Sequence, residues 1–420
     1  MQWINRPLLE QLLAAAVGNS YSSFYRDKYM HAGVEPKTVT IDSFFNLPLL
    51  TRQELIDTPV DRRLFVPKEE IRSVALTSGT TSGTPLIIPY ARVQKYGVEP
   101  SLGYPTARPL VLHPQIQKGF PTVFVQMCQE ARHPVVPVFG DLNNMANNVI
   151  ISKMAGCDSL WALPTIASAF APYAKAGGIA EHIKLIVFSA EALTGARRAE
   201  LGAVFPNALM GSIYATTEIG QWILFTCPDI MKKGQNRFHI VTTDVAAMEL
   251  IDDELVISFG NNKATPLLRY RTGDYFAEVP EGCSCDLPGP LLEWSHRSDV
   301  DRVRVNGMQF DVEESDRAFA VFPHLAGKEY QVHFYPIKGS TAVSIQVEVV
   351  DPVLSTDSER AHDLAAFIER EVPSVWRLSP TATMQTALAQ GAVGTFKAII
   401  VPVLSRGGVK VRRFITHAEQ

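Results

Sequence analysis

Apolar residues open the chain at helical spacing, first in LLEQLLAAAV and then in SSFYRDKYMHAG, where Gly33 is placed to end a helix. Residues 1–60 are therefore read as helical. From Ser73 to Val279 the rhythm changes. Short β-rich runs (VALTS, PTVFVQM, HPVVPVF, KLIVFSAE, ALMGSIY and ELVISF) alternate with the helical patterns LNNMANNVIISKMAG, PTIASAFAPYAKAG and TGARRAELGAVF. Parallel strands need crossover connections, usually helices, so the alternation predicts an α/β domain with parallel-rich sheets flanked by helices. After Arg297 the pattern shifts once more. VRVNG, EYQVHFYP and TAVSIQVEVV alternate as strands do, and SERAHDLAAFIEREV is an amphipathic helix. The expected organisation is a large N-terminal domain over residues 1–297 and a small α+β domain over 298–420. Their boundary lies in the polar stretch HRSDVDR.

Composition narrows the picture. A chain of 420 residues exceeds what one hydrophobic core ordinarily serves, which supports more than one domain. Apolar residues make up 46% and charged residues 20%, the balance of a globular protein in water. No apolar run approaches the roughly 18–20 residues that span a bilayer. MQWINRPLLEQLLAAAV carries Arg6 and Glu10 and lacks the basic start and cleavage site of a secretion signal. A cytoplasmic location with no membrane partner is expected. A net charge of −4 argues against a broad basic surface for nucleic acid. Five cysteines, an odd and sparse set, do not read as a disulfide framework.

Candidate chemistry begins at Thr77-Ser78-Gly79-Thr80-Thr81-Ser82-Gly83-Thr84-Pro85, directly after the strand residues Val74 to Leu76. Glycines and small hydroxylated side chains let backbone N–H groups and hydroxyls approach phosphate oxygens closely. No Gly-Lys-Ser/Thr follows, so this is not a Walker A loop; taken alone, a Ser/Thr/Gly surface loop fits equally well. Tyr214-Ala215-Thr216-Thr217-Glu218 follows an apolar strand. Its carboxylate is the kind of oxygen ligand a hard cation takes, although a helix start with Glu218 as first-turn acid fits too. Tyr270-Arg271-Thr272-Gly273-Asp274, at another strand end, places an acceptor-only carboxylate after a glycine, or is a simple turn. Ser189-Ala190-Glu191 is a strand-to-helix turn after LIVF. Arg297-Ser298-Asp299-Val300-Asp301 is a charged linker leading to Gly307.

Cys227, His239, Cys283 and Cys285 form a Cys-x11-His … Cys-x-Cys set. Three thiolates and an imidazole are a standard tetrahedral complement for structural zinc, and a short Cys-x-Cys hairpin can present two sulfurs to one ion. Buried unliganded cysteines are the alternative. With all four positions filled, such a zinc would clamp loops rather than catalyse. Cys128 and Cys157 lie in apolar, small-residue surroundings and are read as core.

Taken in order, these segments resemble the signatures of the adenylate-forming superfamily, in particular its phenylacetate–CoA ligase branch. Residues 77–85 are similar to Ser/Thr-Ser-Gly-Thr-Thr-Gly-x-Pro, with Ser82 as a one-residue insertion and Leu86 replacing the basic residue common after the proline. Residues 214–218 resemble Tyr-Gly-x-Thr-Glu, with Ala215 for glycine, and residues 270–274 match Tyr-Arg-Thr-Gly-Asp. Residues 189–191 resemble a Gly-Ala/Gly-Glu-Pro turn without its proline, and residues 297–301 resemble a hinge of the form Arg-x-Asp-Asp. Phe24-Tyr25 and Leu47-Pro48-Leu49-Leu50-Thr51-Arg52 look like the opening of phenylacetate–CoA ligases. Several relatives in that branch carry a similar Cys…His…Cys-x-Cys arrangement before the hinge.

The resemblance implies a ligase that uses ATP and magnesium to activate a carboxylic acid, aromatic by the branch, and passes it to coenzyme A or a phosphopantetheinyl carrier. Carried over residue by residue, Thr77, Ser78, Gly79, Thr80, Thr81 and Gly83 hold the β- and γ-phosphates. Ser189, Ala190 and Glu191 sit beside the adenine, Tyr214 packs near it, and Ala215 narrows the acyl pocket. Thr217 contacts phosphate, Glu218 helps bind magnesium, Asp274 accepts from the ribose hydroxyls, and Arg297 holds the nucleotide. The small domain is mobile, turning about Asp299 or Asp301 between half-reactions. The family lysine, found in Gly-Lys-x-Lys/Arg, falls at Thr395 in Gly394-Thr395-Phe396-Lys397. Lys397 is then the catalytic candidate, with Lys410 a further one, or else Lys397 is an ordinary strand residue. An amine acceptor, a non-catalytic nucleotide-binding descendant and a second copy of the chain as partner complete the expectations.

Overall fold

A computed structural model of the chain describes residues 1–77, 85–91, 108–113, 135–241, 245–280, 282–285, 289–297, 302–305, 308–337, 342–379, 381–405 and 413–417, together with Val125, Cys128, Thr243 and Leu287. For residues 296, 297, 302 and 304 the description covers the backbone. The chain divides into two compact units. One contains residues 1–167, 173–192 and 205–295, the other 168–172, 193–204 and 296–420.

The first unit is built on a twelve-stranded sheet. Strands Val138–Phe139, Pro109–Leu112, Ser159–Ala162, Leu185–Phe188 and Leu209–Ala215 pair in parallel in that spatial order. Helices Met145–Ala155 and Pro164–Ala176 lie in two of the crossovers between them. Every residue of Pro109–Leu112, Ser159–Ala162 and Leu185–Phe188 is buried, the mark of strands covered on both faces. At Trp222–Phe225 the sheet turns antiparallel. Arg237–Ile240 and Leu291–Arg297 follow, and Leu267–Val279, Glu254–Phe259, Val245–Ile251 and Gln2–Ile4 continue to the far edge. This antiparallel half is what helix–strand alternation does not announce.

Two of the expected strands differ. In HPVVPVF only Val138–Phe139 is a strand, because Pro137 has no N–H to give a ladder. PTVFVQM lies outside the described residues except for Val125, which is helical together with Cys128. β-branched content is a weak local preference that tertiary context overrides there.

The N-terminal segments are helical and pack onto the antiparallel strands. Asn5 caps helix Arg6–Val17 by accepting from Leu8 N at 3.3 Å, and the helix buries Leu9, Leu12, Leu13 and Ala16. In helix Phe24–His31, the fully buried Tyr25 donates its hydroxyl to Pro266 O and accepts from Leu268 N, both at 2.9 Å. Leu50 then joins strand Leu267–Val279 as a parallel bridge at Tyr270. Its N–H reaches Arg269 O and its carbonyl accepts from Arg271 N, each at 2.9 Å. Arg269 underlies this seat. It has φ 49°, is buried, grips Glu249 through Nε and Nη2 at 2.9 and 2.8 Å, and donates Nη1 to Leu47 O.

The second unit carries a four-stranded sheet ordered Val393–Val401, Val343–Val350, Tyr330–Pro336, Phe414–Thr416. The central pair is antiparallel and both outer pairings are parallel. Helices Val312–Ala320, Ser358–Val375 and Met384–Ala389 accompany it. Phe310, Phe319, Tyr330, Val347, Ile368 and Trp376 are in its core. Among the described residues of the chain, no helix is long and apolar enough to cross a membrane.

Two stability predictions follow from the backbone and the buried pair. Arg269→Leu strands Glu249 as an uncompensated buried carboxylate and should cost about 3–5 kcal/mol, read as a lower urea midpoint; a loss below about 1 kcal/mol would contradict the assigned burial. Ala190 has φ 67°, a conformation costing an L-residue roughly 1–2 kcal/mol. Ala190→Gly should therefore leave stability unchanged or raise it by up to about 1 kcal/mol after glycine's entropy is counted. A marked drop in the same urea titration would refute the strain.

Candidate functional site

In an open α/β sheet, loops at the carboxyl ends of the parallel strands form the natural crevice for a ligand. Here those ends carry His113 after Pro109–Leu112, Thr165 after Ser159–Ala162, Ser189 to Glu191 after Leu185–Phe188, and Tyr214 to Glu218 at the end of Leu209–Ala215. His113 and Ser189 are buried, and His113 Nε2 lies 3.1 Å from Ser189 Oγ across the intervening strand. Glu191 Oε2 accepts from both the N–H and the hydroxyl of Thr165, at 3.2 and 2.8 Å. Its other oxygen is buried and lacks a hydrogen-bond partner among the described residues.

The two pentapeptides 214–218 and 270–274 are locked to each other reciprocally. The tyrosine that opens each one donates to the carboxylate that closes the other. Tyr214 hydroxyl reaches Asp274 Oδ2 at 2.5 Å, and Tyr270 hydroxyl reaches Glu218 Oε1 at 3.1 Å. Both carboxylates are buried, Asp274 at 3% and Glu218 at 8% exposure, so these hydrogen bonds stand in for lost water. The Tyr214 ring meets Phe276 edge-on at 5.3 Å. Ala215 is exposed at the strand end, and Thr217 accepts the Tyr90 hydroxyl at its carbonyl. Gly220, at φ 78°, is required by that approach, since a Cβ there would come within 2.5 Å of the Tyr90 ring.

Each residue between Tyr270 and Asp274 is also accounted for. Arg271 Nε donates to Glu254 Oε2 at 2.8 Å. Thr272 hydroxyl donates to Leu255 O at 2.8 Å, and Gly273 N donates to Glu254 Oε1 at 3.0 Å with φ 75°. Asp274 N donates back to Thr272 Oγ1 at 3.2 Å. The segment is thus a bent strand clamped to its neighbour so that Asp274 faces Tyr214.

Sequence reasoning missed the residue that joins these motifs. Arg52 donates Nη1 to Glu218 Oε1 at 2.9 Å and Nη2 to Thr77 Oγ1 at 2.8 Å. Thr77 Oγ1 also accepts from Leu86 N at 2.8 Å, tying together the two ends of segment 77–86. Arg52 is brought there by Leu50, whose bridge to Tyr270 sets the following turn, and by a capping box in which Thr51 and Glu54 start helix Arg52–Asp57. The signal was present in Leu47–Arg52, but a lone arginine after a threonine carries no spacing that marks it.

Ser78, Gly79, Thr80, Thr81 and Gly83 are outside the described residues, as are Asp299, Asp301 and Lys410. Arg297 ends strand Leu291–Arg297, its side chain also outside the description. Lys397 lies within strand Val393–Val401, not in a loop. Its side chain is 66% exposed, and its ammonium is 3.2 Å from Glu369 Oε2.

Cys227, His239, Cys283 and Cys285 converge although 58 positions separate the first from the last in numbering. All four ligand atoms lie within 4.8 Å of one another. Cys227 precedes helix Pro228–Lys232, His239 is on Arg237–Ile240, and the other two cysteines are in the connection between Leu267–Val279 and Leu291–Arg297. Cys227 Sγ is 3.5 Å from Cys283 Sγ, and Cys285 Sγ is 3.2 Å from His239 Nε2. A tetrahedral zinc with Zn–S near 2.3 Å holds sulfurs roughly 3.7 Å apart, so the set fits such an ion. Burial pushes the Cys227 thiol up to about 12, raises Cys285, and lowers His239 toward its neutral, ligand-competent form. Cys283 moves down: burial opposes ionisation there, but hydrogen bonds from the Cys285 amide and the neighbouring thiols outweigh it. Cys128 and Cys157 are buried core residues, and burial pushes the Cys128 thiol to about 12.

No family model matches the chain. A curated phenylacetate-coenzyme A ligase from Thermus thermophilus is 27% identical over 409 residues, spanning 87% of this chain and 88% of that protein. A solved 2-hydroxyisobutyryl-CoA ligase, in the postadenylation state with 2-HIB-AMP, matches with TM-score 0.72 at 15% identity, over 98% of this chain and 88% of that one. An anthranilate CoA ligase in complex with anthranoyl-AMP matches with TM-score 0.53 at 15% identity, over 83% and 67%. At such identities the solved structures speak for the fold, while the Thermus relative extends the likeness to sequence over most of both chains. Together with the ordered motifs, the Thermus relative makes this chain similar to the adenylate-forming acyl-CoA ligases, and the solved structures show that it has their fold.

Proposed function

We propose that this enzyme uses ATP to activate a carboxylic acid as its acyl adenylate and then transfers the acyl group to a thiol, coenzyme A or a phosphopantetheinyl carrier. In the first step a carboxylate oxygen attacks the α-phosphorus and pyrophosphate leaves. In the second, the thiol sulfur attacks the acyl carbon and AMP leaves. The observation that carries this reading is the reciprocal lock, by which Tyr214–Asp274 and Tyr270–Glu218 bring the proposed nucleoside and magnesium carboxylates to one site. Asp274 is read as the ribose acceptor, with Ser189, Ala190 and Glu191 beside the adenine. Glu218 would hold magnesium, with Thr77 at the mouth of the phosphate segment. Magnesium, when bound, supplies charge neutralisation between phosphate oxygens and that carboxylate.

The aromatic acid class is supported by the motif resemblance and by the Thermus relative, whose name specifies phenylacetate. Rotation of the small domain about Asp299 or Asp301 is part of the same reading. So is a cytoplasmic setting, where ATP and thiol acceptors are supplied. The lysine that supports attack at the α-phosphorus is assigned to Lys397 by register, with Lys410 as its rival. The strand position of Lys397 and its pairing with Glu369 are what keep a non-catalytic descendant in view.

Pooled aryl and acyl acids with ATP should yield acyl-AMP by mass spectrometry, and coenzyme A should convert it to the thioester. Lys397→Ala should cut acyl-AMP formation by about a hundredfold or more and leave AMP binding intact. The same loss in Lys410→Ala, with Lys397→Ala active, would move the role. Adenylate formed but released only to amines would defeat the thiol step, and none formed with any acid would defeat the proposal. For the cysteine cluster, we propose one structural zinc per chain. Metal analysis should find it at unit stoichiometry, and Cys283→Ser with a chelator should lower the melting temperature. Substoichiometric metal in the purified protein would rule the zinc out.

A further inference from the structure

The segment from Thr77 to Ala91 contains no lysine or arginine, although its start is read as the seat of the β- and γ-phosphates. A polyphosphate bound without a nearby side-chain cation would rely on N–H groups, hydroxyls and the metal alone. The position after the proline, where the resembled signature commonly has a base, is Leu86. That side chain is buried at 1% exposure in the apolar core. A charged residue at Leu86 would have to leave that core to meet a phosphate.

A guanidinium arrives at the same place from another part of the chain. Arg52 Nη2 donates to the Thr77 hydroxyl oxygen that also receives the Leu86 N–H, so the charge stands where the two ends of the segment meet. Its side chain is 20% exposed, enough to meet a ligand, and its fork already spans Thr77 and Glu218. We infer that Arg52 supplies to the triphosphate the positive charge that the segment itself lacks. The inference rests on the adenylation reading of this site and adds to it a binding residue taken from outside the motifs.

The pairing with Glu218 makes physical sense of such a role. A buried carboxylate and a half-buried guanidinium each need a partner when no nucleotide is bound, and they serve each other. With nucleotide bound, Glu218 would hold the metal and Arg52 would meet phosphate oxygens, so neither charge would be left alone. Planar, forked donors suit that exchange better than a point charge does. Tyr270, on the same Glu218 oxygen, keeps the carboxylate oriented throughout.

Calorimetric titration of ATP and of AMP into the wild-type chain, Arg52→Gln and Arg52→Lys tests this without any turnover. Arg52→Gln should weaken ATP by roughly ten- to a hundredfold, the range for a charge-assisted phosphate contact, and leave AMP within about twofold. Arg52→Lys should fall between, again for ATP alone, and serves as the reading if Arg52→Gln fails to fold. Unchanged ATP affinity, or equal losses for ATP and AMP, would overturn the role of Arg52. Wild-type protein that binds neither nucleotide would instead overturn the adenylation reading, and this inference with it.

Discussion

The seat of Leu50 on strand Leu267–Val279 is the constraint on which the candidate site depends. It is a single pair of backbone hydrogen bonds, yet it sets the position of Arg52 two residues later and the exposure of Tyr270 to Glu218. What holds it is the buried Arg269, with three of its donors used on Glu249 and Leu47 and its backbone in a left-handed conformation. A buried ion pair contributes little net stability over an apolar substitute but penalises any arrangement that separates its partners. Its effect here is geometric: segment Leu47–Thr51 has one register on the strand.

From that seat the site is assembled by hydrogen bonds between distant segments. Arg52 comes from the N-terminal helices, Thr77 from a hairpin, Glu218 from the turn after the last parallel strand, and Tyr270 and Asp274 from the antiparallel half. Each buried carboxylate is met by a tyrosine hydroxyl, and Glu218 by a guanidinium as well. Such contacts between rigid elements fix side chains more tightly than loops alone would. The same principle extends to the cysteine cluster, where a strand, a helix start and a long connection bring four side chains' sulfur and nitrogen atoms within 4.8 Å of one another.

Much of this was legible in the chain. Burial on both faces makes parallel strands continuous apolar runs, so LIVF and LMGSIY were recognisable, and helical spacing marked the crossovers between them. Thr-Gly-Asp at 272–274 was legible because a positive-φ glycine next to a carboxylate is a local requirement. Cys-x-Cys at 283–285 was legible because so short a spacing by itself holds two thiols close together. PTVFVQM was misread at Val125, where local preference gave way to context, and Pro137 cut short the strand expected through HPVVPVF.

The sequence by itself determined the elements, the family resemblance and the residue types at each strand end, because these depend on contacts within a few positions. It could not determine that Tyr214 meets Asp274, that Tyr270 meets Glu218, or that Arg52 meets Thr77. Those pairs are separated by 60, 52 and 25 positions. They exist only once an antiparallel half-sheet has been added to the parallel one and the N-terminal segment laid across it. Register between strands is set by burial and pairing over the whole sheet, and no local pattern encodes it.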